Sequence, residues 1–307
     1  MLKECIEQNY NLVIETIVPA KRGAYGETWN IVTKGRNYFA KVHYMSNKME
    51  RYKVSLGIVD YLYQQNITFI NHVIKTRENT LYVEYGGGVL ALFDYIEGEN
   101  SKQYEVTDLL HLLTEVYQKS LPDGTVDKED FNIYCADFVL SRQKEYPIIS
   151  SNIETLKCYY DRLQNAREKC KTSRDHMYIT HGDSASNIMM QKEQMIIIDW
   201  DNVKVASPER DLWFMIHSVS DVDRFNKILL KDGIDYQLRG ERLRFYCYYN
   251  YFYYFQDHLL AIEETSDSYQ KRRILNYIHF LFFGGYILEQ MYTIEKIQLE
   301  IGGKYEV

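Results

Sequence analysis

The sequence predicts an α+β fold in two lobes, an antiparallel sheet carrying one helix and then a mostly helical remainder. Three observations support this reading. Short β-branched and aromatic runs, separated by turn clusters, fill the chain from Asn11 to about Asp94. Beyond residue 97 the apolar residues recur at helical spacing. One short polar and apolar patch, from Met177 to Asp199, breaks that helical region as a hairpin would. The division therefore falls at residue 97, with residues 1–97 forming a sheet-rich lobe and residues 98–307 a helical one.

The elements follow in order. Strands are predicted at "NLVIETIV", "ETWNIVT", "YFAKVHY", "HVIKT", "TLYVEY" and "VLALFDY". Between the third and fourth lies "NKMERYKVSLGIVDYLYQQNI", where Val54, Ile58, Tyr61 and Leu62 have helical spacing. After "EGENS" come helices at "DLLHLLTEVYQKS", "EDFNIYCADFVLSRQKEY" and "IETLKCYYDRLQNAREKC", then the hairpin "MYIT-HGDSASN-IMMQKEQMIIID", then helix from "PERDLWFMIHSV" onward. There is no internal repeat and no low-complexity linker, though tyrosine is dense in "FYCYYNYFYYF".

Composition narrows the function classes. With 307 residues, 46% hydrophobic content and only 4 prolines, the chain can bury a large core. A formal charge of −7 disfavours nucleic acid, whose phosphates call for clustered Lys and Arg, and suits a small cationic partner. The 5 cysteines include no CxxC pair, so neither a zinc site nor a disulfide framework is expected; they read as reduced, mostly buried thiols. "MLKECIEQNY" has charges where a signal peptide needs an uninterrupted apolar stretch, so the expected location is cytoplasmic. "ILNYIHFLFFGGYIL" holds Asn276, His279 and two glycines and falls short of the ~20 residues of a span, so it reads as a buried helix and no membrane partner is expected. A monomer or a homodimer fits equally.

The polar loop carries the chemistry. "YITHGDSASNIMM", Tyr178 to Met190, places a histidine, an aspartate and an asparagine between apolar flanks, and a second aspartate ends the run "MIIID". Phosphoryl transfer needs a carboxylate to align the acceptor hydroxyl and take its proton, and an amide oxygen and a second carboxylate to hold magnesium against phosphates. Asp183, Asn187 and Asp199 are the candidates. Asp199 closes a continuous apolar strand, where an uncompensated carboxylate is costly.

"HGDSASNIM" followed by "IIIDWDNVKVASPERDLWF" resembles the paired signatures of the aminoglycoside phosphotransferase and choline kinase family, which has a protein-kinase-like fold. "LALFDYIEGEN" resembles its inter-lobe hinge, "YFAKVHY" its nucleotide-lysine strand and "VYQKSLPDG" the segment after its first helix of the second lobe. "DWD...ASPERDLWF" and the tyrosine-rich later helix are most similar to the spectinomycin-type branch. The resemblance implies a nucleotide-binding first lobe ending in the hinge and a second lobe with the catalytic loop and substrate site. It also implies ATP or GTP with Mg2+ as cofactors and a small hydroxyl-bearing substrate. Two departures stand out. Asp183 and Asn187 lie four residues apart where most relatives have five, so the turn must be tighter, or Ser186 or a water takes part of the coordination. "AKRGAYGETWN" has two glycines but no full GxGxxG, which makes "GAYGET" weak support for a phosphate-covering turn.

Residue by residue, Asp183 is the expected base, with a turn carboxylate as the plain alternative. Asn187 and Asp199 are the expected metal ligands. Lys41, in "FAKV", is expected on the nucleotide α- and β-phosphates, with Glu50 as its acidic partner and Asp60 as the other available acid. Asp94, Tyr95 and Ile96 would turn main-chain groups to the adenine edge, and Ile198 either flanks adenine or is ordinary strand core. Asp201 is either a solvated loop acid or lies near the substrate or a second metal; with Glu209 it would favour an ammonium-bearing substrate. His181 is expected to orient the loop rather than react. Asp211 is either an acid of a first helical turn, after Pro208, or a brace for the catalytic loop.

The expected function is an O-phosphotransferase moving the γ-phosphate of a nucleoside triphosphate to an aminoglycoside or aminocyclitol hydroxyl. The alternatives are a choline, homoserine or methylthioribose kinase, or a nucleotide-binding pseudokinase that the shortened loop has silenced. A metal-dependent hydrolase built on His181, Asp183, Asp199 and Asp201 is disfavoured, because a lone histidine poorly supports the usual mixed metal site.

Overall fold

The β-branched and aromatic runs of the first hundred residues do assemble as one antiparallel sheet. The computed structural model describes residues 1–20, 26–44, 46–100, 103–121, 126–172 and 176–305. An unexpected first helix, α1 (Leu2–Tyr10), precedes β1 (Ile14–Pro19), β2 (Gly26–Thr33) and β3 (Tyr38–His43). Then come α2 (Ser46–Gln64), β4 (Val73–Ile74), β5 (Val83–Tyr85) and β6 (Gly88–Asp94). The strand order is β1-β2-β3-β6-β4, with β5 also on β6. Leu2, Ile6 and Tyr10, four residues apart, put one face of α1 into the core with Ile14, Ile31, Ala40, Val42 and Leu92.

Strand β3 sets the site. Tyr38, Ala40 and Val42 are buried while Phe39 and Lys41 alternate with them at half-buried positions, so Lys41 stands on the other face at the centre of the sheet. It lies opposite Thr28 on one side and Ala91 on the other. Gly26 allows β2 to end this close, since a Cβ there would sit 2.1 Å from the Val42 carbonyl oxygen. Helix α2 buries Ile58 and Leu62 of the expected stripe together with Tyr52, Leu56 and Val59, while Tyr61 is half-buried and Val54 faces outward.

The same compact unit, Met1–Lys128 with Tyr178–Val205, contains β7 (Glu99–Asn100), α3 (Val106–Tyr117), β8 (Tyr178–Thr180), β9 (Ile188–Gln191), β10 (Gln194–Ile197) and β11 (Lys204–Ala206). The expected hairpin is only partly as read. Strands β9 and β10 form it, with β7 on the far side of β9, while β8 pairs with β11. The loop from 181 to 187 is too long and bent for a tight hairpin turn, so β8 completes its ladder elsewhere. A parallel bridge from Ile70 to Ile197, with the Ile197 amide donating to the Phe69 carbonyl at 2.8 Å, ties the hairpin to the segment before β4.

The second unit, Glu129–Met177 with Ala206–Val307, is helical. It comprises α4 (Tyr134–Ser141), α5 (Pro147–Ser150), α6 (Ile153–Thr172), α7 (Glu209–Leu212), α8 (Val219–Lys231), α9 (Gly240–Glu264), α10 (Ser268–Phe283) and α11 (Tyr286–Tyr305). The tyrosine-rich run is the buried axis of this unit. Phe245, Tyr246, Cys247, Tyr248, Tyr251, Phe252 and Phe255 of α9 are all fully buried, the pattern of a helix surrounded on every side. "ILNYIHFLFFGGYIL" is not one buried helix. It breaks at Gly284 and Gly285 between α10 and α11, with Phe280 and Tyr277 exposed. Among the described residues no helix is long and apolar enough to cross a membrane. All five cysteines are free thiols; Cys135, Cys170 and Cys247 are buried and Cys158 is exposed.

Candidate active site

Strand β8 delivers the chain into the polar loop through Gly182, whose φ of 88° lies in the region a side chain disfavours. After Asp183, the three residues Ser184–Ser186 form a single 3-10 turn, which rises more steeply per residue than an α-turn. That turn is how Asp183 and Asn187 face each other across only four residues. The Asn187 amide nitrogen donates to the Asp183 backbone carbonyl at 2.8 Å and to its carboxylate at 3.1 Å. Asn187 thus keeps its amide oxygen, the atom a hard cation takes. Ser186 donates its hydroxyl to the other Asp183 oxygen at 2.7 Å. Burial pushes the Asp183 carboxyl above the usual carboxylate range against the hydrogen bonds from Ser186 and Asn187, and the Asp199 charge adds to the rise.

His181 is fully buried and joins two backbones. Its Nδ1 accepts from the Asp183 amide at 3.2 Å, so its Nε2 carries the proton and donates to the Ile198 carbonyl at 2.9 Å. Trp200 packs edge-on against its ring at 4.7 Å and donates to the Ile197 carbonyl at 3.1 Å. The end of β10 and the start of the loop are thereby held together.

Asp199 follows β10 in a left-handed conformation, φ 64° and ψ 56°, and the chain then makes a 3-10 turn over Trp200–Asn202. This kink sends two carboxylates to one cation. Lys41 Nζ lies 2.6 Å from Asp199 Oδ1 and 2.7 Å from Asp201 Oδ2. The same Asp201 oxygen lies 2.7 Å from His43 Nε2. Burial would lower the Lys41 ammonium, but the Asp201 and Asp199 charges overcome that and hold it well above its ordinary value. For Asp201 burial acts upward, and the charge of Lys41 with the His43 hydrogen bond outweighs it, so its carboxyl lies well below the usual range. Tyr52 of α2 floors the cluster, 4.4 Å from the His43 ring and 5.7 Å below Lys41 Nζ.

Several expectations need correction. Glu50 does not meet Lys41: it is exposed, one turn from Lys53, and pairs with it at 2.6 Å. Asp60 pairs with Lys75 at 3.0 Å. Asp201 is not an open acid awaiting a substrate, because Lys41 and His43 engage it. Glu209 is 0% exposed and cannot face a solvent-borne molecule. Its carboxylate accepts from the Tyr236 hydroxyl at 2.9 and 3.0 Å and from the Arg239 amide at 2.7 Å, within the helical unit. Asp94 cannot offer its amide to an adenine edge, because that N–H donates to the His72 carbonyl at 3.0 Å, and its side chain pairs with Arg36. Tyr95 and Ile96 lie just past β6, outside the ladder, and Ile198 is half-buried between Asn187 and His181. Asp211 is buried in the first turn of α7. Residues 23–25 of "GAYGET" and the end of "VYQKSLPDG" lie outside the described residues. His43 was not singled out from the sequence, though its place two residues after Lys41, on the same strand face, was the signal for it.

Among the described residues no group of three or more His, Cys, Asp and Glu could hold a metal. Asn187 and Asp199 supply two hard oxygen donors. That set fits magnesium, which keeps several waters and takes substrate phosphates rather than an all-protein cage.

A family model described as the phosphotransferase enzyme family matches residues 16–245. No curated protein matches the chain by sequence. Among solved structures, spectinomycin phosphotransferase APH(9)-Ia in complex with ADP and spectinomycin aligns with a TM-score of 0.74 at 17% identity, over 96% of this chain and 98% of that one. Amicoumacin kinase in complex with AMP-PNP and Ca2+ aligns at 0.59 and 12% identity, over 91% and 92%. The streptomycin–ATP complex of APH(2")-IIa aligns at 0.56 and 17% identity, over 90% and 94%. These likenesses show the α+β kinase-like fold.

Proposed function

The chain belongs to the phosphotransferase enzyme family and is a phosphotransferase with an alcohol group as acceptor; from that premise we propose that it moves the γ-phosphoryl group of ATP or GTP to a hydroxyl of an aminoglycoside or aminocyclitol. The observation that carries this reading is the meeting of Lys41 and Asp199 at 2.6 Å, which brings a phosphate-binding ammonium and a metal-binding carboxylate to one place from 158 residues apart. In this reading Asp183 aligns the acceptor hydroxyl and takes its proton, with Ser186 and Asn187 holding its carboxylate in line. Lys41 releases Asp199 and meets the α- and β-phosphates. Asn187 and Asp199 hold magnesium, which when bound neutralises charge on the transferring phosphoryl group. The main chain at Tyr95 and Ile96 reads the adenine edge, and Ile198 flanks the base. Residues 1–97 carry the nucleotide side of the reaction, and residues 98–307 carry the catalytic loop and the acceptor side.

Two facts support the acceptor class. The net charge of −7 favours ammonium-bearing molecules. The structural likeness to the spectinomycin enzyme extends over nearly the whole of both chains. An acceptor panel read by nucleoside diphosphate release, with ATP and GTP in parallel, tests this. Spectinomycin and other aminocyclitols head the panel, followed by aminoglycosides and then choline, homoserine and methylthioribose. Turnover confined to the last three would reject the acceptor class. Nucleotide binding with no turnover on any acceptor would make the chain a pseudokinase.

A further inference from the structure

We propose that Asp201 is the positioning residue for Lys41, in the part that an acid of helix α2 was expected to play, and that His43 fixes Asp201 in that part. The proposal rests on the phosphotransferase reading above and concerns how this chain aims its phosphate-binding lysine.

Lys41 has two carboxylate partners, and they are unequal. Asp199 is the more exposed, 45% against 25% for Asp201, and sits on the kink that ends β10. In the reading above Asp199 must turn to the metal, so it cannot also be the lasting partner of the ammonium. Asp201 has a different constraint. One of its oxygens accepts from both Lys41 Nζ and His43 Nε2, each at 2.7 Å.

His43 is 4% exposed, and its Nδ1 has no partner among the described residues, so Asp201 is the one polar group this ring engages. Its ring lies 4.4 Å from Tyr52, which leaves it little freedom to turn. Lys41 and His43 are neighbours on one face of β3, and this oxygen bridges them. The turn bearing Asp201 is also tied to α2, since Arg51 donates to the Asn202 carbonyl at 3.4 Å. Helix α2 therefore braces the turn by a cation rather than contacting the lysine by an acid. Its own acids are engaged elsewhere, Glu50 with Lys53 and Asp60 with Lys75.

The test is a double-mutant cycle on ADP affinity in EDTA, where the lysine contact is read without the metal. Lys41→Ala is measured in the parent and in Asp201→Asn, His43→Phe, His43→Gln and Glu50→Gln backgrounds, with thermal melts beside each. In the parent, losing Lys41 weakens ADP by about tenfold. In Asp201→Asn, where the ammonium is no longer aimed, the same change costs at least about fivefold less. His43→Phe behaves like Asp201→Asn, whereas His43→Gln, which keeps a donor, and Glu50→Gln leave the parent's loss intact. A Lys41→Ala loss as large or larger in Asp201→Asn overturns the proposal alone, because Asp201 would then only screen the lysine. A parent whose ADP affinity ignores Lys41 overturns the reading of the site and the proposal with it. Should His43→Phe fail to fold, the near-isosteric Asp201→Asn arm decides.

Discussion

Asp183 and Asp201 lie eighteen positions apart, and the chain restrains them by opposite means. Asp183 is held by its own loop: Ser186 and Asn187, three and four residues on, reach its two oxygens through neutral hydrogen bonds. Asp201 is held by Lys41 and His43, 160 and 158 residues back in the sequence. The electrostatic outcomes diverge accordingly. Burial raises Asp183 against the hydrogen bonds of Ser186 and Asn187 and the field of His181, while at Asp201 the charge of Lys41 overcomes the same burial. In the proposed reaction one of these carboxylates accepts a proton and the other holds a cation, and those parts need different neighbours.

The largest expected effect breaks the local half of that contrast. A general base on an alcohol contributes roughly 10²- to 10⁴-fold. Asp183→Asn should therefore lower phosphorylation of the true acceptor by about 10²-fold or more, with nucleotide affinity nearly unchanged because Lys41 and Asp199 are untouched. Steady-state rates on an acceptor that the parent turns over decide it, and normal turnover in the variant removes Asp183 from the mechanism.

A third carboxylate shows what burial does where no chemistry is at stake. Glu209 is enclosed, raised by burial and held by the Arg239 amide and the Tyr236 hydroxyl, to which Arg242 also donates at 3.0 Å. Glu209→Ala strands those donors in the core of the helical unit and should destabilise it by about 3 kcal/mol. Chemical denaturation measures that loss. The acceptor KM of the folded fraction should stay at the parent's value, and a raised KM with undiminished stability would return Glu209 to the substrate.

How much of this was legible in the sequence follows the same division between near and far. The strands showed because short β-branched and aromatic runs such as "YFAKVHY" and "VLALFDY", bounded by turn clusters, are a local signal. So did Asp183 and Asn187, whose partners lie within one turn. Helix α1 was passed over because three apolar residues among charged ones make a narrow stripe, recognisable only once β1 and β3 supply the surface it covers. The stripe of α2 was half read, with Ile58 and Leu62 but without Tyr52, whose floor under Lys41 and His43 exists only in three dimensions. The partner of Lys41 was misassigned for the same reason: the family resemblance implied an acid of the following helix, and folding presents one 160 residues on. In "PERDLWF" the charges suggested an open surface, and the tyrosine that encloses Glu209 comes 27 residues later.

A smaller effect sharpens the distant half of the contrast. If Asp199 exchanges Lys41 for magnesium, Asp199→Ala should abolish most of the tightening of nucleotide by magnesium, a loss of about tenfold or more, while metal-free affinity changes less. Calorimetric titration of ADP with and without the metal reads both terms. Equal magnesium dependence in parent and variant would remove Asp199 as the ligand.

The smallest effect is one of sign, and it sets the two aspartates directly against each other. Asp183 has a folded pKa above its unfolded value of about 3.8, so the proton it binds stabilises the fold at low pH and that contribution is lost as pH rises through the folded pKa. Asp201 has a folded pKa below 3.8, so its contribution is present above that value and is lost as pH falls toward the folded pKa. Neither Asp183→Asn nor Asp201→Asn can ionise at the substituted position, so each isolates the ionisation of the residue it replaces. Between pH 4 and 7, without nucleotide, the Tm of Asp183→Asn should gain on the parent as pH rises. The deficit of Asp201→Asn should hold steady over that interval and shrink only below about pH 4, where the unfolded parent takes up a proton at Asp201 that the folded parent, paired with Lys41, still refuses. Thermal melts across the series need only the direction of each gap. If both gaps move the same way with pH, the two carboxylates share one environment and the contrast between a carboxyl raised by burial and one lowered by Lys41 does not govern them.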